Sequence, residues 1–211
     1  MLIKLKRKTM KTLFLGMLLL VNNSIINGKV NRDVNKNDSP VTTLKVDAAQ
    51  SQVNWHIEKV TGSHTGTLKV FLGQLTVQRK KLTGGYILID MNSLDVTDIT
   101  QPDKQKLENN LKGDNFFDTG RYTVARFDIT SVNYSSDRDT SQATIAGNLT
   151  MHGVTKKIDF KAAILKNSGN ELIARADVNI NRRDWNIATG DFKYNHFISP
   201  AIALHILLKA S

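Results

Sequence analysis

The 211-residue chain has no cysteine. That removes disulfides, thiol nucleophiles, thiolate zinc sites and a lipid-modified cysteine anchor, while leaving an oxidising compartment open. The apolar run Leu13 to Val21 falls short of the roughly 20 residues a membrane-spanning helix needs. Five histidines, His56, His64, His152, His196 and His205, include no His-x-His or His-x-x-x-His pair, so a metal site would need ligands converging from distant strands. No Gly-x-Ser-x-Gly occurs, and Gly84-Gly85 precedes a strand-like run instead of a helix, so neither a nucleophile elbow nor a phosphate loop is indicated. Helix-turn-helix, zinc-finger and RNA-binding aromatic motifs are missing as well, which argues against nucleic acid as a partner.

The formal charge of +10 does not restore that partner. Lys4, Lys6, Arg7, Lys8 and Lys11 supply five of the cations in a stretch without acids. Beyond it, 24 basic residues face 19 acidic ones, a surplus that scattered surface lysines account for as solubility. The same five cations, followed by Leu13 to Val21, have the layout of a secretory signal. We therefore expect a signal peptide over 1–24, export to the periplasm or beyond, and a polar linker over 25–42, rich in Asn, Lys, Asp and Ser. The folded domain is expected over 43–211.

From Thr43 onward short alternating runs recur at 43–48, 51–58, 65–78, 82–91, 122–134, 141–151, 154–165, 170–181 and 198–209. Regular short strands separated by Gly, Asn, Asp and Ser predict an antiparallel sandwich or barrel. The clearest is the pair around His152-Gly153. Leu149 and Met151 share a face before the hinge, Val154, Ile158 and Phe160 share one after it, and Gly153 supplies the positive φ of a tight turn. His152 is expected to donate to a carbonyl and fix that turn. In the last run Ile202, Leu204, Ile206 and Leu208 lie on one face and Ala201, Ala203 and Leu207 on the other. Apolar residues on both faces suit a barrel stave whose inner side lines a lumen and whose outer side is covered by a loop or helix.

One segment breaks the pattern. Thr100, Pro102 and Asp103 resemble a helix start and Gly113 a stop, predicting a short helix near 101–112 with Leu107 and Leu111 as its apolar stripe. That stripe can rest on a sheet or plug a barrel mouth. Phe116 and Phe117 come next, and at least one is expected in the core or at a cavity entrance. The acids Asp90, Asp95, Asp98, Asp114 and Asp118 cluster around this helix, where capping and turn formation explain them more simply than catalysis does.

Several segments in order carry a resemblance: Val46 to Ile57, Ile89-Asp-Met-Asn-Ser-Leu-Asp95, Leu111 to Asp118 with Tyr122 and Phe127, Leu149-Thr-Met-His-Gly-Val-Thr-Lys156, and Ile180-Asn-Arg-Arg-Asp-Trp-Asn186. Together, over roughly residues 43 to 208, the chain resembles the YceI family of lipocalin-like, polyisoprenoid-binding bacterial proteins. It departs from the usual pattern at Thr123, where Pro is common, at Asn186, where Gly is common, and at Asn109 and Asn110, where a basic residue and His are usual. The resemblance implies an all-β fold, an antiparallel eight-stranded lipocalin-like β-barrel with one short α-helix, whose lumen admits a long lipid tail.

The same resemblance implies a binding protein and not an enzyme. The expected ligand is an amphipathic isoprenoid, either an isoprenoid quinone or a polyprenyl phosphate, with no cofactor besides that lipid and with transient membrane contact compatible with loading. Each buried methylene is worth about 0.8 kcal/mol, so a prenyl tail supplies affinity with few polar contacts. The expected lining residues are Val53, Trp55, Ile57, Phe117, Phe127, Ile129, Leu149, Phe160, Trp185 and Leu204, with Arg182 or Arg183 meeting the headgroup. For the Arg182-Arg183-Asp184 stretch the structural reading comes first, an Arg–Asp pair holding a loop by charge-assisted hydrogen bonds, with the headgroup contact as the sharper alternative. A filled β-sandwich serving as an extracellular interaction module, or a barrel acting on its bound lipid through His152 or the acids, are the alternatives.

Overall fold

Nine strands fill eight positions around a closed barrel. In the computed structural model residues 39–211 are described, apart from 137 and 190–194. The expected signal peptide and residues 25–38 of the expected linker lie outside the described residues. The strands are β1 (Val41–Lys45), β2 (Gln52–Lys59), β3 (Gly62–Gln78), β4 (Lys81–Val96), β5 (Val124–Tyr134), β6 (Gln142–Met151), β7 (Val154–Asn167), β8 (Leu172–Asn181) and β9 (Ile198–Ala210), with helix α1 (Asp103–Lys112) between β4 and β5. β1 thus begins inside the stretch that composition assigned to the linker.

Hydrogen-bonded neighbours run β1-β3-β2-β9-β8-β7-β6-β5-β4, and β3 also pairs with β4, which closes the ring. The nine runs in the sequence and the eight staves reconcile at β3. Its first half pairs with β2, from Lys59 opposite Gly62 to Val53 opposite Leu68, and its last residues pair with β1, from Lys45 opposite Gln74 to Val41 opposite Gln78. β1 and β2 are therefore two segments of one stave. The other edge of β1 reaches the chain end, where the Lys45 N–H donates to Ser211 O at 2.8 Å and the Ser211 N–H returns to Lys45 O at 2.9 Å. Among the described residues, closure leaves no long strand edge open to another chain.

Alternation decides what faces inward. On β8 Leu172, Ala174, Ala176, Val178 and Ile180 are all buried, while Arg175, Asp177, Asn179 and Asn181 between them are exposed. β3 and β4 need irregularities to stay in phase, with register shifts between Thr67 and Lys69, Val70 and Leu72, and Thr76 and Val77. Such bulges let long strands bend around a small barrel. Two close approaches depend on glycine for room. A Cβ on Gly66 would lie 2.3 Å from the Trp55 ring, and one on Gly147 would lie 2.5 Å from the Phe127 ring. Each aromatic lies across the neighbouring strand where that strand has no side chain.

The β6–β7 turn forms as the sequence implies, and His152 joins Gly153 in it, with φ of 51° and 73°. Positive φ at both central residues is the type I′ hairpin geometry that matches strand twist. The helix differs more from expectation. It starts at Asp103, two residues late, after a cis Gln101–Pro102 peptide, and Pro102 occupies the cap position without a side-chain cap. Thr100 contributes its carbonyl, which accepts from Lys104 N–H at 3.0 Å, instead of its hydroxyl. What anchors the helix is Glu108, whose carboxylate accepts from Val96 N–H at 2.9 Å at the end of β4. Gly113 ends it in an extended conformation. The outer face of β9 also departs from expectation: Ala201 is exposed, Ala203 and Leu207 are half-buried, and α1 sits at the mouth of the barrel.

Candidate functional site

The inward faces enclose two apolar cavities that share a wall. The lower one, toward β1, holds about 910 Å³ of space between atoms and the upper one, toward α1, about 690 Å³, mouths included. Val53, Ile89, Ala125, Leu149 and Leu204 border both, so they are two parts of one lumen. Its walls are apolar, as those of most ligand pockets are. Its width comes from small side chains. Ala125, Ala162, Ala174 and Ala176 point inward where Leu or Ile would close the space.

The residues expected to line a lumen divide into two groups. Val53, Leu149 and Leu204 border both cavities, Trp55, Ile57 and Phe117 the upper one, and Phe127, Ile129 and Phe160 the lower one. Phe127 and Phe160 meet at 5.5 Å between centroids on the wall. Trp185 and Arg182 border neither, which corrects their assignment to the lipid. Arg182 is 0% exposed and its guanidinium donates to four main-chain carbonyls: Ser199 at 3.0 Å, Ile187 at 2.8 Å, Ala188 at 2.6 Å and Ile198 at 3.1 Å. Burial first, then neighbouring Arg183, pulls its pKa below the ordinary arginine value. The structural reading holds in a different form, since Arg182 ties Ile187 and Ala188 to Ile198 and Ser199 through their carbonyls while Asp184 is exposed.

Trp185, 1% exposed, donates its indole N–H to Leu149 O at 3.1 Å, and its own carbonyl lies 3.0 Å from His152 Nδ1. These two bonds tie the 182–185 turn to the end of the β6–β7 hairpin. Tyr122 packs on the His152 ring at 4.7 Å. His152 is thus the turn-fixing residue expected from its place in the hinge.

Phe116 is a lining residue that the sequence does not single out. It is 4% exposed, contacts Phe117 edge-on at 4.9 Å, and borders the upper cavity together with Leu111 of α1. Adjacent aromatics give no means of choosing between them, and both line the lumen. The inward alanines escape a reading of the sequence too, because a small side chain in a strand carries no signal of empty space. Among the described residues no three His, Asp or Glu side chains converge as metal ligands.

The two ends of the lumen differ. At the lower end the Tyr134 hydroxyl bridges both main-chain groups of Leu82, accepting from its N–H at 2.7 Å and donating to its carbonyl at 3.2 Å. Burial, partly offset by the Leu82 bond, raises the Tyr134 pKa. Asn167 of β7 donates to Lys80 O at 2.8 Å across the same end. At the upper end the cover is α1 and the 113–117 loop, and a smaller pocket of about 420 Å³ adjoins the upper cavity, sharing Ile57, Leu111 and Phe116 with it.

A closed antiparallel barrel with an apolar lumen and a helix at one mouth defines a lipocalin-like protein. The model of the YceI-like domain matches residues 44–210, and the chain belongs to that family. It is 30% identical over 144 residues to protein YceI of Escherichia coli O6:H1, covering 65% of this chain and 71% of that one. It is 28% identical over 120 residues to a UPF0312 protein of Shewanella sp. strain W3-18-1, where the match spans 56% of this chain and only 59% of the relative's length. Among solved structures, BcnA of Burkholderia cenocepacia superposes with a TM-score of 0.67 at 21% identity, covering 79% of this chain and 99% of that one. A polyisoprenoid binding domain from Saccharophagus degradans, implicated in plant cell wall breakdown, gives 0.59 at 18% identity, covering 80% and 97%. These two likenesses show the fold.

Proposed function

We propose that this protein is an exported carrier or store that holds an amphipathic isoprenoid, a polyprenyl phosphate or an isoprenoid quinone, with its tail in the lumen. The observation that carries this reading is the continuous apolar wall shared by the two cavities. Such a wall favours a hydrocarbon chain by about 0.8 kcal/mol for each methylene it removes from water, and it offers a tail no polar partner to satisfy. The polyisoprenoid binding domain from Saccharophagus degradans has the same fold, which supports the choice of tail. Export is supported by the basic N-terminus and the apolar run Leu13 to Val21. The function assigned is binding and not turnover, because the groups nearest the lumen are hydrocarbon.

Native mass spectrometry of the freshly purified protein, followed by organic extraction, tests this. The expected result is a bound mass that extracts as an isoprenoid, or saturable uptake of geranylgeraniol by the lipid-free protein. A chain that neither retains nor takes up any lipid would be a ligand-free interaction module instead. N-terminal sequencing of the protein from the cell envelope tests export, with loss of roughly the first 24 residues expected.

A further inference from the structure

The inward-facing stripes of three adjacent strands each end in a polar residue at the same mouth. On β2 the stripe Val53, Trp55, Ile57 continues to Lys59. On β3, read toward the mouth, Leu68 and Gly66 lead to His64, and on β4 Leu94 and Val96 lead to Asp98 just past the strand. The three side chains form a line. Asp98 Oδ2 lies 2.9 Å from His64 Nδ1, and His64 Nε2 lies 2.7 Å from Lys59 Nζ. Asp98 is fixed in turn by Thr65 N–H at 3.1 Å. Burial raises the Asp98 pKa, but the bonds from His64 and Thr65 outweigh it, and the carboxyl is held below its ordinary value.

With Lys59 as an ammonium, which can only donate, the line has one consistent assignment. The Asp98 carboxylate accepts a proton-bearing Nδ1, so His64 Nε2 is left as an acceptor and takes one N–H of the Lys59 ammonium. Two N–H groups of Lys59 remain to donate. Lys59 is half-buried and, among the described residues, forms no ion pair with a carboxylate. Glu58 borders the same pocket, but its side chain is 76% exposed and lies by His56, 3.9 Å away. Lys59 and His64 line the pocket that adjoins the upper cavity, behind Ile57, Leu111 and Phe116.

We propose that Lys59 binds an anionic phosphate headgroup at this mouth, with His64 and Asp98 as positioning residues that aim its ammonium. This rests on the lumen holding an isoprenoid tail, and it selects the phosphate-bearing class over the neutral quinone. An ammonium held at the end of an apolar tunnel is a fixed positive charge where the tail's polar end must emerge, and lysine recognises phosphate as a point charge.

The test titrates the full-length protein with geranylgeranyl phosphate, geranylgeraniol and inorganic phosphate, read by the fluorescence of Trp55 in the lumen wall. Wild type is expected to bind the phosphate ester about tenfold or more tighter than the alcohol, the worth of a charge-assisted hydrogen bond. Lys59→Met should erase that ester-to-alcohol preference, Lys59→Arg should keep it, and Asp98→Asn should reduce it severalfold. Equal binding of ester and alcohol by wild type, or equal losses of both in Lys59→Met, would overturn the headgroup assignment while leaving the isoprenoid reading standing. Displacement of the ester by equimolar inorganic phosphate would make this a free-anion site and overturn it too. If neither ester nor alcohol binds wild type, both readings fall. Should Lys59→Met not fold, Asp98→Asn and Lys59→Arg decide the matter by the same ester-to-alcohol ratio.

Discussion

The two ends of the barrel are shut by different means. At the lower end closure is built largely from main chain: β1 bridges β3 and the tip of β9, Tyr134 clasps Leu82, and Asn167 reaches Lys80. At the upper end the cover is side chains carried on segments outside the strands: Leu111 of α1, Phe116 and Phe117 after it, and the 182–188 turn held by Arg182. Main-chain ladders resist opening because each lost bond leaves buried donors and acceptors unpaired. The cover made by Leu111, Phe116 and Phe117 parts at the cost of packing alone, while the 182–188 turn would also give up the Arg182 bonds.

Four changes test this contrast, the largest effect first. Arg182→Ala would strand four main-chain carbonyls at the upper end, and we expect a loss of roughly 3 kcal/mol or more in urea unfolding. A loss below about 1 kcal/mol would mean that Ile187, Ala188, Ile198 and Ser199 are held by something else. Ala174→Phe places a ring in the lower cavity. Overpacking should cost about 1–3 kcal/mol, and fluorescence titration should show geranylgeraniol binding weakened more than that of the shorter geraniol. Equal weakening of the two alcohols would show that tails do not reach the lower end.

Tyr134→Phe removes the clasp on Leu82 and should cost about 1–2 kcal/mol in thermal or urea unfolding, without moving the relative affinities of ester and alcohol. If it did move them, the lower end would take part in headgroup selection and the contrast between the ends would fail. The smallest effect is that of pH at Asp98. Its folded pKa lies below the ordinary 3.8, so its contribution is fully present above that value and is lost as pH falls through the folded pKa. Asp98→Asn should therefore flatten the acid limb of the stability profile slightly between wild type and variant. An unchanged acid limb would remove Asp98 from the line with His64.

Much of this is legible from residues alone, and the reason is period two. Val53, Trp55 and Ile57 on β2, or Leu149 and Met151 on β6, declare their shared face by spacing, and a barrel converts a shared face into a lumen wall. The His152-Gly153 turn is legible because few residues tolerate positive φ. The Arg182 and Trp185 assignments fail because an arginine beside a tryptophan at a strand end looks the same whether it faces a ligand or the main chain. Only the placement of Ile187, Ala188, Ile198 and Ser199, whose carbonyls converge on one guanidinium, separates the two.

The lysine at the mouth shows the same limit. That Lys59, His64 and Asp98 end inward stripes is not legible in the runs 51–58, 65–78 and 82–91, which stop short of all three. That they meet is not legible either, since His64 and Asp98 are 34 residues apart in the chain, and their contact depends on the register shifts that bring the end of β4 beside the start of β3. The sequence by itself determined the strands, their inner faces and the tight turn, because those arise from local spacing and backbone preference. Which end of the barrel is sealed, how wide the lumen stays and which charges converge at its mouth were decided only in three dimensions, because they depend on pairing between segments that no local preference encodes.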